Sequence, residues 1–204
     1  ESLSDLFTSS VCDFVEMAIF TGLRKSELLN LSWDVINLKD RSYFISKTKN
    51  GTPLELPISD RLLTLFNRRL VQRTDSNYVF NSHGQYGRVI EPKKIIAKIG
   101  EKAGVDFTLH DLRRTFTTTA ESLNVGTYTI KRLLNHKTKR DDVTAGYTVL
   151  TPEELRGPAQ AIEDEILIQA EIKHKELGVT EQIANLLAGL SEREKKSVLL
   201  QIAD

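Results

Sequence analysis

The sequence predicts an α+β domain, mainly α-helical, with a small antiparallel β-hairpin set among the helices. Two observations carry this: apolar residues recur at three- and four-residue intervals through most of the chain, and two short alternating segments flank Asn50-Gly51. Hydrophobic residues at 40% and charged residues at 27% of 204 are ordinary for a globular chain, so neither a disordered nor a membrane class is indicated. The length suits one substantial core followed by an appendage.

Val11, Phe14, Val15, Ala18 and Ile19 form the first helical stripe. Gly22 interrupts it before a second helical run through Leu28 and Leu31. Strands are expected over Arg41–Thr48 and Leu54–Ile58, with Leu54, Leu56 and Ile58 pointing inward. Ser59 is placed to cap a helix carrying Leu62, Leu63, Leu65, Phe66 and Leu70, and Gly104 to end a helix over residues 92–103. Thr108 and Asp111 have capping-box spacing, which opens a helix to about Leu123. Another helix spans about Thr127–Asn135. His136–Thr144 reads as a polar loop ahead of Tyr147, and the remainder as helices. Gly157-Pro158 is expected to break the first of these, and Ile162, Ile166, Leu167, Ala170 and Ile172 make an apolar stripe.

Twenty-eight basic and 28 acidic residues balance overall, but not locally. Residues 151–204 hold six Lys/Arg and eleven Asp/Glu, a net of −5, which leaves +5 on residues 1–150. The division expected is a domain at 1–150 able to carry a phosphate-binding face, and an acidic helical tail at 151–204 suited to a protein partner. A lone Cys12, no apolar run near the roughly 18 residues of a membrane helix, and no signal-like start lead to an expected reducing, cytoplasmic location. The chain begins without Met, so further modules are expected ahead of Glu1.

Four local patterns carry chemistry. In Thr21-Gly22-Leu23-Arg24-Lys25-Ser26-Glu27-Leu28 the glycine permits a tight turn that delivers Arg24 to a helix start, beside free backbone N–H groups. Taken alone, the pattern favours a solvated helix-start arginine. In His110-Asp111-Leu112-Arg113-Arg114 the spacing puts His110 and Arg113 on one helix face with Leu112 turned to the core, a pair suited to an anion. His136 follows Leu133-Leu134-Asn135 at a helix end and precedes Tyr147 by eleven positions. Lys49 lies beside the hairpin turn, where a lysine also serves to protect a strand edge.

The order Arg, Lys, His-x-x-Arg, His, Tyr resembles the tyrosine recombinases, the phage integrases and their relatives, from about Phe7 to Val149. Thr-Gly-Leu-Arg-x-Ser-Glu-Leu and His-x-Leu-Arg-Arg-Thr are similar to the family's two arginine boxes. The resemblance implies the family's DNA breaking-rejoining catalytic fold. It also implies Arg24, Lys49, His110, Arg113 and His136 as activating residues and Tyr147 as the nucleophile. Lys49 is preferred to Lys47 by its distance from Pro57, and Lys47 and Arg114 are assigned to DNA binding. Two departures stand out. Asn135 occupies the place where the family usually has glycine, and the interval from His136 to Tyr147 is longer than is common.

The implied reaction is site-specific recombination by transesterification, leaving a 3′-phosphotyrosyl link and a free 5′-hydroxyl. A phenol with a pKa of about 10 needs a base or a positive field, and His110 is the candidate to take its proton. Arg24, Arg113 and His136 would hold the charge that grows on the non-bridging oxygens, and Lys49 would protonate the leaving 5′-oxygen. Glu27 either orients an arginine or His110, or is an exposed helix glutamate. No metal or other cofactor is expected, since no carboxylate set has Mg²⁺ spacing and His110, His136 and Cys12 do not have zinc spacing. The partners implied are double-stranded DNA carrying attachment sites, further copies of the chain in a tetrameric synapse joined through the tail, and accessory DNA-bending proteins. The implied setting is the nucleoid of a bacterial host, with a prophage as the source. Three other readings remain. A type IB topoisomerase would relax supercoils without strand exchange. A helix-turn-helix protein would use Val125–Leu134 as its recognition helix, and a degenerate integrase would serve structurally.

Overall fold

The computed structural model describes residues 3–45, 54–136 and 150–173. Its first compact unit runs to Leu167 and the second from Ile168 onward. Helix α1 (Leu3–Thr21) buries Val11, Phe14 and Ala18 of the expected stripe and Met17 beside them, with Val15 and Ile19 half-buried, and α2 (Lys25–Leu29) follows after Gly22. A three-residue 3-10 turn at Trp33–Val35 leads into strand β1 (Ile36–Asn37), which pairs antiparallel with β2 (Ser42–Ile45). Strand β3 (Leu54–Pro57) pairs with β2 on its other side, Tyr43 opposite Leu56 and Ile45 opposite Leu54. The expected hairpin strands are therefore paired, and the sheet gains a two-residue third strand too short to show a period. The residues that join β2 to β3, including Lys47, Lys49 and Asn50-Gly51, lie outside the described residues.

Leu54, Leu56 and Ile58 are buried, and Tyr43 stacks on Phe66 with the ring centroids 6.0 Å apart. Phe66 belongs to α3 (Asp60–Val71), which packs against α1, and its ring also meets Trp33 edge-on at 6.4 Å. Arg69 of α3 is wholly buried. Its guanidinium donates to Ser10, Gln72, Asn81 and the Val79 carbonyl and pairs with Asp13 at 3.5 Å, so the charge is solvated by protein groups instead of water.

Ser59 occupies the N-cap position of α3 but does not cap it. Its hydroxyl donates to Glu163, and it is Glu163 Oε1 that accepts from the Arg61 N–H at 2.8 Å, with Gln160 accepting from the Asp60 N–H at 2.9 Å. A carboxylate from distant sequence, buried to 1% exposure, satisfies the helix end that a local serine was expected to serve.

Helix α4 (Lys93–Ala103) ends at Gly104, whose φ of +68° forms the left-handed cap expected there. Helix α5 (Leu109–Ser122) opens with the predicted reciprocal capping of Thr108 and Asp111, and α6 (Thr127–Leu133) follows. Phe116 and Ala120 of α5 and Ile130 and Leu133 of α6 join the main core.

Helix α7 (Pro152–Gln169) corrects two expectations. It is not broken at Gly157-Pro158. A Thr151–Glu154 capping box starts it, Gly157 has no Cβ to clash with the following proline ring, and the carbonyl that Pro158 orphans belongs to exposed Glu154. Leu155, Ala159, Ile162, Ile166 and Leu167 are buried in the chain's own core, so the compact unit extends past the boundary expected at residue 150. Of the apolar stripe, only Ala170 and Ile172 are exposed. Among the described residues no helix is long and apolar enough to cross a membrane.

Candidate phosphate-binding site

Gly22 sets the geometry of the site. Its φ is +59°, and a Cβ added there would stand 2.6 Å from Leu134 Cδ2 and 3.0 Å from Phe116 Cδ1. Only glycine both turns the chain this way and lets α1, α5 and the end of α6 meet at this point. The turn places Arg24 at the head of α2.

Of the backbone N–H groups at this helix start, that of Arg24 itself is taken, donating to Glu27 Oε2 at 2.8 Å. Arg24 Nη1 donates to Glu27 Oε1 at 3.1 Å and to the Asn135 carbonyl at 3.1 Å. Glu27 is 6% exposed, so of its two readings the structure places it against an arginine and not in solvent. It makes no hydrogen bond to His110.

Arg113 projects from α5 to the same place. Nη1 donates to the Gly22 carbonyl and Nη2 to the Leu134 carbonyl at 2.9 Å, and among the described residues no carboxylate pairs with it. Two of its five donors are spent on backbone held by other elements, leaving three for a ligand. Burial, and next the neighbouring Arg24 cation, lower its pKa to about 10 against the partial compensation of Glu27. A cation held beside another cation, half-buried and with no carboxylate in direct contact among the described residues, is a cradle for an anion.

His136 closes the group. Helix α6 ends in a Schellman motif, with Asn135 at φ +51° in the left-handed position, its N–H on the Arg132 carbonyl at 3.1 Å and the His136 N–H on the Lys131 carbonyl at 2.8 Å. His136 follows this turn, exposed but near enough for the charges of both arginines to act on its ring. Burial, then Arg113 and Arg24, push its pKa below the ordinary 6.5, so the ring is neutral at pH 7 and keeps one N–H to donate.

The structure thus brings Arg24, Arg113, His136 and Glu27 together. His110 lies one turn before Arg113 on α5, exposed and without a hydrogen bond among the described residues. Arg114 is exposed and pairs loosely with Asp111 at 3.6 Å. Lys47, Lys49 and Tyr147 fall outside the described residues. Among those described, no group of three or more His, Cys, Asp or Glu is placed to hold a metal ion. Two further residues of the site lie outside the set predicted from sequence. Asn135 carries a signal, already marked there as a departure: an asparagine where the family usually has glycine. Arg88 carries none; it stacks over Tyr78 at 5.3 Å and lines an open groove with Arg24, Lys25, Ser26 and Asn30.

A mainly helical domain with a small antiparallel sheet brings two arginines and a histidine from three separate segments into one positively charged group suited to an anion. The chain belongs to the phage integrase family, whose model matches residues 8–154. It is 34% identical over 141 residues to the tyrosine recombinase XerA of Pyrococcus furiosus, covering 67% of this chain and 49% of that protein. The chain spans about half the length of the curated relatives it matches. In fold it is similar to the integrase of mycobacterium phage Brujita, with a TM-score of 0.59 at 20% identity over 76% of this chain and 52% of that one. It is also similar to the XerH site-specific recombinase in a pre-cleavage complex with its difH substrate, with a TM-score of 0.52 at 19% identity over 74% and 50%. Helix α6, which could have been a recognition helix, instead ends in the carbonyls that hold Arg24 and Arg113.

Proposed function

We propose that this chain is the catalytic part of a site-specific DNA recombinase that cleaves and rejoins DNA through a 3′-phosphotyrosine. The observation that carries it is the meeting of Arg24 and Arg113, anchored on the carbonyls of Gly22, Leu134 and Asn135 with His136 beside them. Backbone anchoring fixes both guanidinium groups before any ligand arrives, so their remaining donors need little reorganisation as charge grows on a phosphate. In this reading Arg24, Arg113 and His136 bind the non-bridging oxygens, and Tyr147 attacks phosphorus. His110 takes the phenol proton and Lys49 returns one to the departing 5′-oxygen. Lys47 and Arg114 contact flanking backbone, and Glu27 orients Arg24. The same reading has four copies, joined through the tail, acting on attachment-site DNA with accessory DNA-bending proteins, at the nucleoid in the cytoplasm of a bacterial host. The DNA-bound state of the related XerH enzyme supports the DNA partner.

The test is covalent capture. The chain is incubated with a pool of random-sequence duplexes carrying single nicks, and SDS-resistant adducts are isolated. An adduct joined through a DNA 3′-phosphate is expected from the wild type and none from Tyr147→Phe, which should still shift the same DNA in a gel. An adduct that survives Tyr147→Phe would remove Tyr147 from the role.

A further inference from the structure

The turn that carries His136 needs a left-handed residue, and a glycine would serve it. Here the position holds Asn135, 7% exposed, at φ +51°. Asparagine is among the few side chains that adopt this backbone readily, so the turn is preserved and a polar group is added inside it. That group reaches far in sequence: Asn135 Nδ2 donates to Glu27 Oε1 at 2.8 Å. The same oxygen accepts from Arg24 Nη1, which also donates to the Asn135 carbonyl. Guanidinium, carboxylate and asparagine therefore close a ring, with Asn135 holding Arg24 once directly and once through Glu27. The other Glu27 oxygen is tied to the Arg24 backbone, so the carboxylate has no freedom to turn away.

We propose that Asn135 is a positioning residue for the Arg24 guanidinium, acting through its amide on Glu27 as well as through the turn it makes. The inference rests on the reading of Arg24 as a phosphate ligand. Glycine at 135 would make the same turn and the same carbonyl contact but leave Glu27 Oε1 to Arg24 alone. Alanine would lose the amide and resist the turn. The two substitutions therefore separate the side chain's part from the backbone's.

Asn135→Gly and Asn135→Ala are compared with wild type in the full chain by two readouts. The first is the rate of covalent adduct formation on nicked duplexes beside the Kd for the same DNA. The second is the side-chain ¹⁵N–¹H signal of the Arg24 guanidinium, which reports its restraint whether or not the chain cleaves. Asn135→Gly is expected to slow adduct formation about tenfold to a hundredfold, as misplacement of a positioning group does, with Kd within twofold. It should also broaden the Arg24 signal. In a Glu27→Ala background the same change should add little, because both act on one contact. A glycine variant that matches wild type in rate and signal while alanine does not would leave Asn135 only its turn and overturn the proposal. Additive losses with Glu27→Ala would overturn it too. If wild type forms no adduct, the recombinase reading falls, and the Arg24 signal still decides whether Asn135 positions it.

Discussion

Gly22→Ala tests the junction on which the site stands. Two costs add. An L-residue at the left-handed φ of +59° costs about 1–2 kcal/mol, and overfilling a packed core costs about 1–3 kcal/mol. The second applies because the new methyl would lie 2.6 Å from Leu134 Cδ2 and 3.0 Å from Phe116 Cδ1, buried side chains of two different segments that would have to give way. The sum is about 2–5 kcal/mol, or roughly 2–4 °C of thermal midpoint for each kcal/mol. Gly104→Ala is the control: its φ is +68°, but nothing lies within 4 Å of the added methyl, so only the backbone cost of about 1–2 kcal/mol applies. Urea unfolding of both variants, with slopes compared so that only stability is read, gives the packing cost by difference. If Gly22→Ala costs no more than Gly104→Ala, the close approach of α1, α5 and α6 at this point is wrong, and with it the anchoring of Arg113 on the Gly22 carbonyl.

Glu163→Ala should lower stability by about 2–4 kcal/mol, since it orphans the Arg61 N–H and the Ser59 hydroxyl, while Glu163→Gln keeps an acceptor and should lose about 1 kcal/mol; equal losses in thermal unfolding would point to charge and not to capping. Arg113→Lys should slow adduct formation about 10²–10³-fold with DNA affinity little changed, because a lysine keeps the charge but cannot hold two carbonyls and a phosphate together. A parallel fall in affinity and rate would assign Arg113 to binding alone. His136 is held below its ordinary pKa of 6.5 by burial and two cations, and an anion placed among them offsets those cations. Binding DNA near pH 6 should therefore take up protons and tighten as pH falls, seen by calorimetry in buffers of different ionisation enthalpy; proton release would contradict the placement. By the same sign the free protein should lose His136's share of stability as pH falls below 6.5, where the unfolded chain binds the proton more readily.

Features governed by neighbours in sequence were legible. The Thr108–Asp111 capping box, the Gly104 stop, the inward face of β3 and the delivery of Arg24 after Gly22 each depend on residues within a turn of one another. Ser59 misled because its hydroxyl has a better partner in Glu163, 104 positions away, and no local rule can see that competitor. Gly157-Pro158 misled because the break was judged from two residues without the capping box that starts α7 six positions earlier. The tail stripe was real, but whether Ile162 and Ile166 meet their own domain or another surface depends on where α3 and α7 lie, which periodicity does not encode.

By itself, the sequence determined the helical character of the chain, the hairpin strands, the family, and the residue types able to bind a phosphate, because backbone preference and side-chain chemistry are local properties. Only the tertiary structure decided that Arg113 rests on carbonyls 91 and 21 positions away, that Glu27 serves Arg24, and that Asn135 joins them. Those contacts form when α1, α5 and α6 pack around a glycine with no room for a methyl group, and packing is a property of the whole core.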